Sequence, residues 1–135
     1  MLLRWAAAYA AAALVFCVLD ALWLGVVARR WYRARLGGLL REAPRWGVAL
    51  AFYLVYLAGL LLFGVQPALR SGLWSDALLW GGLFGFFTYF TYDMTSLATL
   101  KGWPPQLVAV DIAWGTVLNA LAAAAGWAAG RIVVS

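Results

Sequence analysis

The sequence predicts an all-α integral membrane protein, a four-helix up-down bundle that forms a single domain over residues 1–135. Hydrophobic residues make up 67% of the chain and charged residues 11%, whereas a soluble domain carries about 25% charged residues. Each of four apolar stretches is at or above the roughly 20 residues that cross the hydrocarbon core as a helix. The stretches leave no room for a soluble domain, because they cover about residues 5–28, 46–66, 77–100 and 104–129.

Short connections between the later stretches favour antiparallel helices. The second loop covers Pro67–Asp76 and the third covers Lys101–Pro105, and short loops make sequential helices antiparallel neighbours. The first stretch is interpreted as an uncleaved helix, because its apolar run exceeds the roughly 7–15 residues of a signal-peptide h-region. Tryptophan prefers the membrane interface, and seven indoles lie near predicted helix ends: Trp5, Trp31, Trp46, Trp74, Trp80, Trp103 and Trp127.

Basic residues are concentrated in the first loop, which predicts the orientation of the bundle. Cytoplasmic loops of membrane proteins carry an excess of lysine and arginine. The first and third loops together contain Lys101 and six arginines, namely Arg29, Arg30, Arg33, Arg35, Arg41 and Arg45. The opposite side holds three basic residues, Arg4, Arg70 and Arg131. We therefore expect both termini outside and loops 1 and 3 in the cytoplasm.

The net charge of +5 is explained by this topology and does not indicate a nucleic-acid partner. A short interfacial helix is expected around residues 31–40, with its leucines on the membrane and its arginines toward water. The basic loop could also contact anionic lipid headgroups. Membrane lipids are therefore the expected partners.

Small residues at a spacing of four predict close helix contacts. Gly81 and Gly85 form one such pair on the third helix, and the fourth helix repeats the pattern at Ala122, Gly126 and Gly130. Ala6 and Ala10 provide the same spacing on the first helix. In lipid, faces of this kind let helix backbones approach closely, either within one bundle or between two subunits.

Composition narrows the chemistry that the chain can perform. Cys17 is the only cysteine and there is no histidine. An intramolecular disulfide is therefore excluded, and neither a metal nor a cofactor is expected, because histidine and cysteine are common metal ligands. The sequence contains no Ser-His-Asp set, and it contains no glycine-rich phosphate loop. Hydrolase and redox reactions are disfavoured for these reasons.

Three aspartates lie inside the apolar stretches and mark the candidate site: Asp20, Asp93 and Asp111. Insertion scales assign such a residue a cost of roughly 2.5–3.5 kcal/mol, so it usually faces the bundle interior. Counted from the predicted cytoplasmic helix ends at about 1.5 Å per residue, the three carboxyl groups lie at a similar depth. A shared proton or a bound cation would accommodate them, because these stretches contain no basic residue.

Aromatic and polar side chains accompany the acids at this depth. Trp23 and Trp114 each follow an aspartate by three residues and so share its helix face. The candidate ligand- or proton-binding residues are Asp20, Asp93, Asp111, Tyr53, Tyr56, Tyr89, Tyr92, Trp23, Trp114, Ser96 and Asn119. A purely structural layer is the alternative, but interhelical hydrogen bonds in membranes average only about 0.6 kcal/mol. That gain is small against the insertion cost of three acids, which favours a functional site.

Five short segments in this order resemble a known family: Leu19–Gly25, Tyr92–Thr95, Leu97–Leu100, Gly102–Pro104 and Val110–Gly115. The family resembled consists of small bacterial membrane proteins and is known only as a domain of unknown function. The resemblance covers essentially the whole chain and implies a multi-pass, four-span protein of the bacterial inner (plasma) membrane. It implies no activity and no catalytic residues, although an association of its genes with membrane-lipid modification favours a lipid-related role.

Three functions remain open from the sequence. The first is binding or transport of a small lipophilic or cationic molecule, with Asp93 and Asp111 as proton or cation sites. It favours a homodimer, because four short helices enclose little volume. The second is a membrane-embedded enzyme or accessory subunit that modifies lipids, with a carboxyl group and a tyrosine as general acid and base. The third is a structural membrane scaffold.

Overall fold

The computed structural model describes residues 2–27 and 45–133, and in these ranges the chain is helical apart from short connections. Helix α1 covers Leu2–Leu22 and continues as a π-helical turn, Trp23–Val27. Helices α2, α3 and α4 cover Trp46–Ser71, Trp74–Thr99 and Pro105–Ile132. The predicted all-α fold is confirmed. Most of the arginine-rich first loop, including the interfacial helix expected at residues 31–40, lies outside the described residues.

Three of the helices, α1, α2 and α4, are long and apolar enough to cross a membrane. Helix α3 has 26 residues and is as long as α2. It does not reach the same apolarity, because its sequence carries Asp76, Asp93 and a series of hydroxyl side chains. The span predicted at residues 77–100 therefore forms a helix of sufficient length, and its position in the membrane stays a prediction.

Helix α4 packs at the centre of the bundle. Its most extensive contacts within the described residues are with α3 and then with α1. Gly126 of α4 lies against Ala8 and Ala12 of α1 and against Val65 of α2. The Trp127 indole N–H also donates to the Ala68 carbonyl of α2 at 3.1 Å. The end of α4 thus lies beside the start of α1 and the end of α2, so α4 runs antiparallel to α1 and parallel to α2, as an up-down bundle requires.

The contact between α3 and α4 depends on glycines at the predicted positions. A Cβ atom on Gly81 would meet the Ala123 side chain, and one on Gly85 would meet the Gly115 carbonyl and Asn119. The two backbones are therefore closer than any larger residue allows. The predicted role of this glycine pair in helix contact is confirmed, and the contact lies within the bundle.

Within the bundle, α1 packs through small residues that lie two positions from the predicted pair, and a contact of that pair between subunits stays a prediction. Ala6 and Ala10 are exposed, whereas Ala8 and Ala12 are buried with 0% and 1% of their surface accessible. Alanines occupy seven of the eight positions from 6 to 13, so small residues are present on every face of this part of the helix. Packing against Gly126 on α4 selects the face that is buried.

Helix α2 continues past Pro67, where the sequence predicts its end. A π-helical turn, Leu61–Val65, precedes Pro67 and joins two α-helical parts, Trp46–Leu60 and Gln66–Ser71. Proline lacks an N–H and its ring crowds the preceding turn, and the wider π turn is a known way to accommodate an irregular hydrogen-bond ladder. The helix ends at Gly72, whose φ of 76° is the left-handed conformation common after a helix.

The first half of α2 packs less closely than the second. The buried residues of α2 lie from Leu57 onward. Earlier in the helix, Val48, Leu50 and Val55 each have 61% or more of their surface exposed. This half starts at the end of the bundle where α1 finishes, α3 finishes and α4 begins. The looser packing leaves space between the helices at this end.

Candidate functional site

A cavity of about 760 Å³ occupies the space beside the first half of α2. All four helices contribute to its walls, which are largely apolar and aromatic. Its lining consists of Phe16, Asp20, Trp23, Leu24, Phe52, Tyr53, Tyr56, Phe87, Thr88, Tyr89, Thr91, Tyr92, Asp111 and Trp114. A pocket of this volume lies within the roughly 300–1,000 Å³ of small-molecule sites. Asp20 and Asp111 are its acidic residues, and none of the described lining residues is basic.

Asp20 lies in the cavity wall between two donors from other helices. The Tyr53 hydroxyl donates to Asp20 Oδ2 at 3.2 Å, and the Trp114 indole N–H points to Asp20 Oδ1 at 3.5 Å. The indole of Trp114 also stacks on Trp23, with ring centroids 4.6 Å apart and planes inclined by 10°. The two predicted Asp-to-Trp pairs therefore meet in one wall, made by α1 and α4.

Asp93 and Asp111 form a second acidic feature, between α3 and α4. Their carboxyl groups lie within hydrogen-bonding reach of each other. Asp93 is fully buried, and neither of its oxygens has a donor among the described residues. Asp111 is half-buried and lines the cavity, whereas Asp93 lies behind it. One carboxyl group of this pair therefore faces the cavity and the other faces the protein interior.

A hydrogen-bond network around Tyr56 closes the inner end of the cavity. The Tyr56 hydroxyl donates to Asn119 Oδ1 at 2.9 Å and lies 2.9 Å from Thr88 Oγ1. Asn119 is fully buried and donates from Nδ2 to the Gly115 carbonyl at 2.7 Å. The network connects α2, α3 and α4 at the point where α2 approaches its neighbours. The Tyr56 hydroxyl, the Thr88 hydroxyl and the Asn119 amide each have a hydrogen-bond partner, which stabilises polar groups that are removed from water.

Replacing Tyr56 by phenylalanine is expected to destabilise the bundle by about 0.6–1.7 kcal/mol, the range of interhelical hydrogen bonds in a membrane protein. The change removes the hydroxyl that bonds Asn119 and leaves the Asn119 oxygen buried without that donor. Chemical unfolding in detergent, followed by circular dichroism, measures the loss. Tyr9→Phe is the control, because the Tyr9 hydroxyl bonds the Leu54 carbonyl at an exposed position. Equal losses in both variants would contradict a stabilising role of the Tyr56 network.

Two further tyrosines from α3 complete the wall. The Tyr89 ring lies directly over Gly115, where a Cβ atom would overlap it. Tyr92 is exposed by 57% and contacts the Trp103 ring edge-on, with centroids 5.8 Å apart. Glycine at position 115 thus provides the space that lets Tyr89 reach the cavity.

The structure brings most of the predicted site residues to one place. Eight of the eleven line the cavity: Asp20, Trp23, Tyr53, Tyr56, Tyr89, Tyr92, Asp111 and Trp114. Asn119 accepts a hydrogen bond from the Tyr56 hydroxyl, and Asp93 contacts Asp111. Neither Asn119 nor Asp93 lines the cavity. Ser96 is buried with 8% exposure and is not in the lining. The grouping of Ser96 with the cavity is therefore not supported by its position.

Sequence reasoning missed three phenylalanines in the lining, Phe16, Phe52 and Phe87. An apolar side chain in an apolar stretch looks the same whether it faces lipid or a cavity, so composition carries no signal for it. Phe16 lies four residues before Asp20, on the same helix face, and that spacing could have identified it. Among residues 2–27 and 45–133, no three Asp, Glu, His or Cys side chains are grouped to hold a metal ion.

Long apolar helices that surround a largely aromatic cavity with two acidic residues define this chain as a helical membrane protein. It belongs to the family described as "Predicted membrane protein (DUF2177)", whose profile matches residues 5–128. The resemblance noted from the sequence is thereby confirmed. No curated protein matches the chain, and no solved structure matches it.

Proposed function

We propose that this protein binds a small lipophilic cation in the cavity, within the membrane. The observation that carries the proposal is the lining itself, which combines Asp20 and Asp111 with aromatic rings from all four helices and no basic side chain among its described members. A carboxylate attracts a cation, and apolar rings accept the rest of a lipophilic molecule. Both properties occur here in one cavity.

Aromatic faces strengthen the preference for a cation over a neutral lipid. A cation over the face of a tryptophan or tyrosine gains about 0.5–1 kcal/mol at exposed sites and about 2 kcal/mol when desolvated. The Trp23–Trp114 stack and the ring of Tyr53 lie beside Asp20, so the charge of the ligand would meet a carboxylate and several rings together. Intramembrane acids that face a cavity commonly mark ion or substrate pathways.

The cavity would open toward the cytoplasmic side of a bacterial inner membrane. Arg45 and Lys101 are at the cavity end of the bundle, whereas Arg4, Arg70 and Arg131 are at the other end. With the arginines of the first loop included, the basic excess favours the cavity end as the cytoplasmic one. Reaction of single cysteines with a membrane-impermeant reagent tests this: cysteine at the exposed position 73 should react from outside, and cysteine at the exposed position 100 should not.

Binding of tetraphenylphosphonium, a lipophilic cation, to protein in lipid nanodiscs tests the proposed function. Equilibrium dialysis should detect saturable binding, and Asp20→Asn should weaken it by about tenfold, which corresponds to about 1.4 kcal/mol. Asp76→Asn is the matched control, because Asp76 lies in the first turn of α3 and does not line the cavity. Absence of saturable binding to the wild type would overturn the proposal, as would equal binding by both variants.

The alternatives predict different results in the same system. An enzyme or accessory subunit of lipid modification predicts an altered lipid profile in a deletion strain that Asp20→Asn fails to restore. The Tyr53–Asp20 hydrogen bond is the observation that favours it, because a paired hydroxyl and carboxyl group can transfer a proton. A scaffold predicts changes in stability alone when the acids are replaced by asparagine.

A further inference from the structure

Asp93 and Asp111 contact each other through their carboxyl groups. Ionised carboxyl groups only accept hydrogen bonds, so this contact requires a proton or a cation between them. Their carboxyl groups lie within hydrogen-bonding reach, and the fully buried Asp93 has no other donor among the described residues. Two negative charges at this distance repel strongly where water is excluded. One proton held between them removes a charge and supplies the missing donor. Other acid pairs that face each other closely share a proton for the same reason.

The titratable groups of residues 2–27 and 45–133 that face the pair are acidic or phenolic. Asp20 faces Asp111 from α1, and Tyr89 and Tyr92 face it from α3. The first half of α2 contributes Tyr53 and Tyr56 to the same cavity. All of these groups are neutral or negative near neutral pH. Within the described residues, the surroundings therefore favour retention of a proton over a second ionised carboxyl group.

Asp111 connects this pair to the cavity, because it contacts Asp93 on one side and lines the cavity on the other. A cation that enters the cavity approaches Asp111 directly and favours its ionised form. Asp93 has no contact with the cavity and would respond only through Asp111. The two carboxyl groups thus form a path from a ligand site to a buried proton site.

We propose that Asp93 and Asp111 hold one shared proton and release it when a cation binds beside Asp111. On release, the carboxyl O–H bond breaks, the proton passes through the cavity to water, and the positive charge of the cation replaces that of the proton. The net charge of the site is unchanged. This inference rests on the proposed function. The acid pair would then exchange one proton for each cation bound.

Infrared spectroscopy tests the shared proton without any cation. A protonated carboxyl group has a C=O stretching band that an ionised carboxylate lacks. The wild type at neutral pH should show this band, and Asp93→Asn should remove the part that belongs to the pair, because the change leaves Asp111 at the cavity as a single carboxyl group that can ionise beside an amide. Asp76→Asn should retain the band. Absence of the band in the wild type, or its undiminished survival in Asp93→Asn, would overturn the proposal.

Proton release on cation binding tests the exchange itself. Tetraphenylphosphonium added to wild-type protein in weakly buffered solution should release about one proton for each cation bound. Linkage then requires affinity to fall about tenfold for each unit that the pH is lowered in the range where the pair is protonated. Asp93→Asn should release no proton and should flatten this pH dependence, because the asparagine amide donates to an Asp111 that remains ionised.

The outcomes separate this inference from the function on which it rests. Saturable binding by the wild type with no proton release would overturn the exchange and leave the cation site intact. A carboxyl band in a protein that binds no cation would overturn both the proposed function and the exchange. Asp20→Asn should weaken binding yet still release a proton for each cation bound, because Asp20 is outside the pair.

Discussion

Replacing Gly85 by alanine is expected to lower the free energy of unfolding by about 1–3 kcal/mol, the usual cost of overpacking a tight contact. A Cβ atom at this position would overlap the Gly115 carbonyl and would lie 2.7 Å from Asn119 Cβ. The first obstacle is backbone, so no side-chain rotation relieves it and α3 must move away from α4. Because Asn119 bonds Tyr56 and Gly115 supports Tyr89, this shift also enlarges the inner end of the cavity.

A matched control lies three residues earlier on the same helix. Gly82 is also buried, yet a Cβ atom there would have its nearest neighbour at 3.7 Å, which is ordinary van der Waals contact. Gly82→Ala should be neutral or stabilising by up to about 1 kcal/mol, because alanine has the higher helix propensity. Unfolding of the three proteins in mixed detergent micelles, followed by far-ultraviolet circular dichroism, measures the difference. Equal behaviour of the two variants would show that the α3–α4 contact does not limit stability.

The sequence predicted the helices well, because a long apolar run in a membrane has few alternatives to a helix. It predicted helix ends less well. Pro67 was interpreted as the start of a loop, whereas the π turn before it lets α2 continue to Ser71. The sequence also does not indicate which face of α1 is buried, because Ala6 and Ala8 are chemically identical. Only contact with Gly126 on α4 distinguishes their faces.

The sequence predicts the positions of the candidate residues along their helices, but it predicts only partly which way their side chains point. Counting residues from the helix ends places the three aspartates in one layer; in the structure Asp93 contacts Asp111, and Asp20 and Asp111 line the same cavity. Counting cannot give the rotation of each helix about its axis. Asp93 therefore turned out to lie behind Asp111, and Ser96 lies outside the cavity lining. Rotation is set by the glycine contacts between α3 and α4, which a single sequence shows only as common spacings.

Replacing Trp114 by alanine is expected to have the largest effect on the cavity. The indole stacks on Trp23 with centroids 4.6 Å apart, and its N–H points to Asp20 at 3.5 Å. Its loss should lower the free energy of unfolding by about 2–3 kcal/mol, less than the 3–5 kcal/mol of a fully buried tryptophan because this side chain is half-buried. Affinity for tetraphenylphosphonium should fall by about tenfold or more, because a desolvated cation–π contact contributes about 2 kcal/mol.

Trp114→Phe separates the contributions of the ring and of the N–H. Phenylalanine keeps an aromatic face toward Trp23 and the cavity but cannot donate to Asp20. It should therefore retain most of the cation affinity and lose only part of the stability. Trp74→Ala is the control, because Trp74 is 60% exposed and begins α3 at the opposite end of the bundle. If Trp114→Ala bound the cation as tightly as Trp74→Ala, the aromatic wall could not be part of the binding site, and Asp20 and Asp111 alone would have to account for any affinity.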